Sequence, residues 1–102
     1  MKAISEIEKK DLEGRWINKY LIGCEYFDNN PILYFSNGKV VFNPIKLDYI
    51  DYQLEFNEQT GTLFLNFKNG NTIEIWQLFP DIDKESMIIK IDKKKYYFER
   101  LS

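Results

Sequence analysis

From Ile32 onward the chain is a succession of short stretches in which apolar and polar residues alternate, each closed by a turn signal, and this rhythm restricts the fold more than any other feature. The clearest stretch is Tyr49 to Asn57: Ile50, Tyr52, Leu54 and Phe56 fall on one face, Asp51, Gln53, Glu55 and Asn57 on the other. Successive side chains of a strand point to opposite faces, so one face is core and the other wet, as in an antiparallel sheet. Asn37-Gly38 predicts a type I′ hairpin, because both central positions of that turn need positive φ. The same reasoning predicts strands over residues 15–22, 32–36, 39–43, 49–57, 62–68, 72–79, 86–91 and 95–101. Glu58 to Gly61 is read as a turn, Asn69-Gly70-Asn71 as a tight hairpin turn, and Pro80, which has no N–H, as the end of the sixth strand. Tyr52, Leu54, Phe56, Leu63, Leu65, Phe67, Ile73, Ile75, Ile89 and Phe98 are expected to point inward, with Trp16, Phe42, Met87 and Ile91.

Strands joined by turns this short pair neighbour to neighbour, and closing the sheet on itself removes both of its edges. The expected fold is therefore all-β, an antiparallel up-and-down barrel of about eight strands, with an open two-sheet sandwich as the alternative. Ahead of it, Ile4 and Ile7 among charged residues predict one or two helical turns over 3–11, with Ser5 as N-cap and Glu8 completing a capping box. Gly14 lets the backbone turn into the first strand. In an up-and-down barrel the connections alternate between the two ends, which puts Trp16, opening the first strand, and Arg100, closing the last, at the end covered by the helix. A guanidinium stacked there on an indole is worth about 0.5–2 kcal/mol. The Gly14-x-Trp16 of the first strand and the Arg100 of the last resemble the signature of the lipocalin and fatty-acid-binding barrels, which implies a closed barrel with these residues in structural roles.

The chain has 102 residues, enough for one domain over 1–102, and 17% of them are aromatic, which supplies a ring-filled core. A net charge of −2 argues against direct nucleic-acid binding, since Lys9-Lys10 and Lys93-Lys94-Lys95 are short runs. Met1 to Lys10 lacks the apolar centre of a signal peptide and no run of about 18 apolar residues occurs, so a cytoplasmic location without a membrane partner is expected. Cys24 is the single cysteine and there is no histidine, so neither a disulfide nor a Cys-His nucleophile can form within the chain. No cofactor, metal site or catalytic residue is predicted, and the chain is read as a non-enzyme.

Two functions remain. The family resemblance implies a carrier with a hydrophobic ligand inside the barrel, although short strands lined with rings leave little room. The chain also looks like the immunity proteins of bacterial toxin systems, including contact-dependent growth inhibition. That resemblance rests on size, acidity, barrel pattern and the absence of catalytic residues, and it implies a monomer blocking a basic nuclease toxin, a ribonuclease by preference, in a 1:1 complex. The expected contact residues are Glu25, Tyr26, Phe27, Asp28, Asp48, Tyr49 and Asp51, acids beside rings on loops that strand alternation brings to one rim. Asp81, Asp83 and Glu85, at the other end, form the second-choice site.

Overall fold

The computed structural model describes residues 3–19, 32–41 and 49–101. A 3-10 turn over Ile4–Glu6 and one helical turn, α1 (Lys9–Leu12), lead into β1 (Gly14–Asn18), β2 (Ile32–Ser36), β3 (Lys39–Val41), β4 (Tyr49–Asn57), β5 (Thr62–Asn69), β6 (Thr72–Asp81), β7 (Ser86–Ile91) and β8 (Lys94–Arg100). The strands pair in sequence order and β8 returns to β1, giving a closed eight-stranded antiparallel barrel rather than an open sandwich. Asn37 and Gly38 both have positive φ, 53° and 76°, as the type I′ turn between β2 and β3 requires. Two strands change partner along their length: β4 meets β3 through Asp51 and β5 from Tyr52 onward, while β6 meets β5 from Thr72 to Leu78 and β7 from Gln77 to Asp81. This stagger is what closure of a sheet demands. Residues 20–22, 42 and 43, assigned to the first and third strands from the sequence, lie outside the described residues.

The barrel is sealed at one end by the two residues at which the sheet begins and finishes. Trp16 stands directly across from Arg100 in the β1–β8 ladder, and the guanidinium carbon lies 4.3 Å from the centre of the indole. Arg100 donates through Nη1 to the carbonyl of Glu13 and through Nη2 to that of Asp11 at 2.7 Å, while Trp16 Nε1 donates to the carbonyl of Leu12 at 2.9 Å. These are carbonyls that the end of a short helix leaves without an intrahelical donor. The lead-in, expected as one or two helical turns, is two separate turns, because Ile7 between them is extended (φ −68°, ψ 129°). Ser5 sits inside the first turn and does not cap it, and the caps are acids three residues on: Ala3 N–H to Glu6 Oε1 at 3.1 Å and Glu8 N–H to Asp11 Oδ2 at 2.8 Å. Gly14, at φ 122°, occupies a conformation that side-chain-bearing residues rarely adopt, which is why a glycine opens β1.

Inside, Trp16, Trp76, Tyr52, Phe35 and Phe98 are the bulkiest fully buried side chains. Phe67 meets Trp76 at 5.1 Å and Phe35 meets Tyr52 at 5.5 Å, both in the edge-to-face geometry that ring quadrupoles favour. β6 departs from expectation: Ile73 and Ile75, predicted to be core, are 69% and 59% exposed. The turn ahead of it is the two residues Gly70-Asn71, so Asn69 pairs with Thr72 and Phe67 with Glu74. A three-residue turn sets Phe67 opposite Ile73; shortening it by one moves every β6 side chain to the other face. Trp76 and Leu78, opposite Leu65 and Leu63, are the residues that turn inward. Nor does β6 stop at Phe79, since Pro80 pairs with Met87 and Asp81 with Ser86, beyond the last pair with β5. On that side no ladder bond is required of the missing N–H. Leu54 and Phe56 of β4 are half-buried instead of core.

Candidate functional site

The outer faces of β6, β7 and β8 form a trough of about 380 Å³ toward the closed end. Its walls come from the strand period. Phe79 and Asp81 are two apart on β6 and face outward together, as do Tyr97 and Glu99 on β8. Between them on β7 lie the smaller Ile88, opposite both Phe79 and Tyr97, and Ser86, opposite both Asp81 and Glu99. Two flanking strands therefore repeat ring-then-acid, and the central strand supplies an aliphatic and hydroxyl floor. Phe79 and Tyr97 are 39% and 41% exposed, so each ring leaves a face open to a partner. One cation already borders the trough: Lys19 Nζ lies 2.9 Å from Glu99 Oε1, with both side chains about half exposed. Such pairs contribute about 0–1 kcal/mol and exchange readily.

Of the second-choice acids, Asp81 lines the trough and its Oδ1 also accepts from the Lys84 N–H at 3.3 Å, capping the 3-10 turn Ile82–Lys84. Glu85 is drawn to the seal instead: its carboxylate lies 3.5 Å from Arg100 Nε and its carbonyl accepts the Arg100 N–H at 2.9 Å. Asp83 is exposed between them. Of the first-choice rim, Glu25, Tyr26, Phe27, Asp28 and Asp48 lie outside the described residues. Tyr49 and Asp51 are exposed together on the outer face of β4. Asp51 pairs with Lys39 at 2.9 Å, and that hydrogen bond, followed by the charge of Lys39, holds its carboxyl below the ordinary carboxylate range.

Phe79, Tyr97 and Glu99 were not singled out from the sequence. Their signal was present in the ring-x-acid spacing on two strands, but which strand lies between them follows only from the pairing. At the closed end, Tyr52 Oη and Glu13 Oε2 are buried without hydrogen-bond partners. Burial, and then the charge of Glu13, push the Tyr52 phenol well above its usual range. Lys9 Nζ stands 4.7 Å from the centre of the same ring. Among the described residues no three of His, Cys, Asp and Glu gather to hold a metal ion.

No protein-family model, no curated protein and no solved structure matches the chain.

Proposed function

We propose that the protein works from its outer wall, seating basic side chains of another protein in the trough between Phe79 and Tyr97, and that it is an immunity protein whose partner is a basic nuclease toxin domain. The observation that carries this reading is the doubled ring-and-acid pattern, Phe79 with Asp81 and Tyr97 with Glu99, on either side of Ile88 and Ser86. An arginine or lysine laid along β7 rests its aliphatic stem on Ile88, passes between two rings and places its charge between two carboxylates. Nuclease domains carry cationic surface for the phosphate backbone, and an acidic counterpart steers association and fixes register. Tyr49 and Asp51 on β4 supply a third ring-and-acid pair, through which the rim expected from the sequence enters the proposal. The interior supports the same choice over a ligand carrier, since Trp16, Trp76, Tyr52, Phe35 and Phe98 occupy it.

The test is titration of the purified chain with a basic nuclease toxin domain encoded beside its gene, reading affinity and residual nuclease activity. Asp81→Asn with Glu99→Gln removes both charges while leaving an amide oxygen to cap the turn, and it should weaken binding by about 2–5 kcal/mol. A chain that binds no toxin domain and instead retains one lipid in native mass spectrometry would move the function to the barrel interior.

A further inference from the structure

The other half of the same wall carries the opposite charge. Beyond Gln77 the β5–β6 hairpin continues past the pairing of β6 with β7, and it presents Ile73 and Ile75 outward, at 69% and 59% exposure. Lys68 stands directly across from Ile73 on β5. Lys90, opposite Gln77, is a diagonal neighbour of Ile75, and Lys93 lies in the adjoining β7–β8 turn with Lys95 on the outer face just beyond it, whereas Lys94, opposite the buried Ile91, belongs to the inward phase of β8. Asp92 is the acid of that turn, and Glu74, half-buried, belongs to the inward phase of β6. Lys90 and Lys95 are directly opposed in the β7–β8 ladder, an arrangement of like charges that destabilises a sheet. Two bare aliphatic side chains thus share this wall with four lysines, Lys68, Lys90, Lys93 and Lys95, in a chain whose net charge is −2.

We infer that this patch docks on an anionic phospholipid surface, with Ile73 and Ile75 entering the boundary of the acyl chains and the lysines meeting the headgroups. The charges select an anionic partner, and the opposed Lys90 and Lys95 gain most from one, because a surface of negative charge relieves their repulsion. The apolar members distinguish a bilayer from nucleic acid: single strands are held by aromatic faces on which bases stack, whereas branched aliphatic side chains insert among lipid chains. Long lysine stems reach back to headgroup level while the isoleucines enter. No helix of the structure is long and apolar enough to cross a membrane, and the inference is of a surface contact, assembled only when two hairpins are brought side by side. It is independent of the partner in the trough.

The experiment uses the whole chain with vesicles of phosphatidylcholine alone and of phosphatidylcholine with about a third phosphatidylserine, by co-sedimentation at low and physiological salt. Binding is expected to the anionic vesicles only, and to weaken as salt screens the lysines. Lys93→Glu with Lys95→Glu should reduce affinity by at least about twenty-fold, since each lysine near such a surface contributes roughly five-fold. Ile73→Ser with Ile75→Ser should reduce it by about ten-fold or more at both salt concentrations. Circular dichroism confirms that each variant folds. The inference is overturned if folded protein ignores anionic vesicles, or if either pair of substitutions leaves vesicle binding unchanged. It is equally overturned if the chain instead binds single-stranded RNA through the lysines, with the isoleucine variant indistinguishable from the parent.

Discussion

The outer wall over β6, β7 and β8 is one sheet with two chemistries. Toward the closed end it offers rings beside acids, Phe79 with Asp81 and Tyr97 with Glu99, and Lys19, which borders them, is paired. Toward the hairpin tips it offers Ile73 and Ile75 among lysines, with Lys90 facing Lys95 and no acid opposite either of them in the β7–β8 ladder. Beneath both halves the inner face is apolar at Trp76, Leu78, Met87, Ile89, Ile91, Tyr96 and Phe98, all of them buried, and Glu74 is its half-buried exception on β6. The pairing requires one face of each strand to fill the barrel and leaves the other open to vary. A small barrel whose interior is committed to packing can therefore carry separate surfaces on its outside.

The comparison breaks most severely if the shared inner face is damaged. Trp76→Ala removes the ring that packs on Phe67 and should cost about 3–5 kcal/mol in a denaturant titration, abolishing trough and patch together. Its neighbour Ile75, on the outer face, should tolerate serine within about 0.5 kcal/mol. Next in size is the seal. Arg100→Met loses the charge stacked on Trp16 and leaves the carbonyls of Asp11 and Glu13 without their donor, for about 2–3 kcal/mol. Because Glu85 and Glu99 lie beside that seal, the acidic half should loosen first, read as faster hydrogen exchange at the Trp16 indole and at the β8 amides than at the β5–β6 hairpin.

A smaller effect, of opposite sign, is expected at Tyr52. Its hydroxyl is buried without a partner, so Tyr52→Phe should stabilise the chain by roughly 1 kcal/mol at neutral pH. The pH dependence follows from the raised phenol. The folded state keeps Tyr52 protonated after the unfolded chain begins to ionise, near pH 10, so its contribution is intact below that pH and declines above it. Tyr52→Phe should therefore remove part of the alkaline loss of stability, measured by melts between neutral and strongly alkaline pH. The smallest change separates the two halves most finely. Lys95→Glu converts an opposed like-charge pair into an attractive one and should stabilise by about 0.2–1 kcal/mol, whereas Glu99→Lys breaks the pair with Lys19 and should slightly destabilise.

Much of this was legible in the sequence. Tyr49 to Asn57 alternates cleanly, and β4 has those limits. Gly14, Trp16 and Arg100 foretold the closure because the two chain ends of an eight-stranded up-and-down sheet converge at one end when it closes. What could not be read was governed by single-residue choices. One residue in the length of the Gly70-Asn71 turn decided whether Ile73 and Ile75 or Trp76 and Leu78 filled the core, and both assignments satisfy an alternating pattern. Among the described residues, the candidate surfaces depend on the same register. Phe79 with Asp81 and Tyr97 with Glu99 are unremarkable as separate dipeptide spacings, and they border one trough only because β7 lies between β6 and β8.

The most direct measurement sets the two halves against each other. The basic nuclease toxin domain and the phosphatidylserine vesicles are each titrated with Asp81→Asn/Glu99→Gln and with Lys93→Glu/Lys95→Glu, both checked to melt like the parent. The prediction is a crossed result: the first variant loses affinity for the toxin domain by about 2–5 kcal/mol and keeps its binding to vesicles, while the second loses the vesicles and keeps the toxin domain. A folded Asp81→Asn/Glu99→Gln protein that still binds and blocks the toxin domain with the affinity of the parent would contradict the central claim that the acidic trough is where the partner sits.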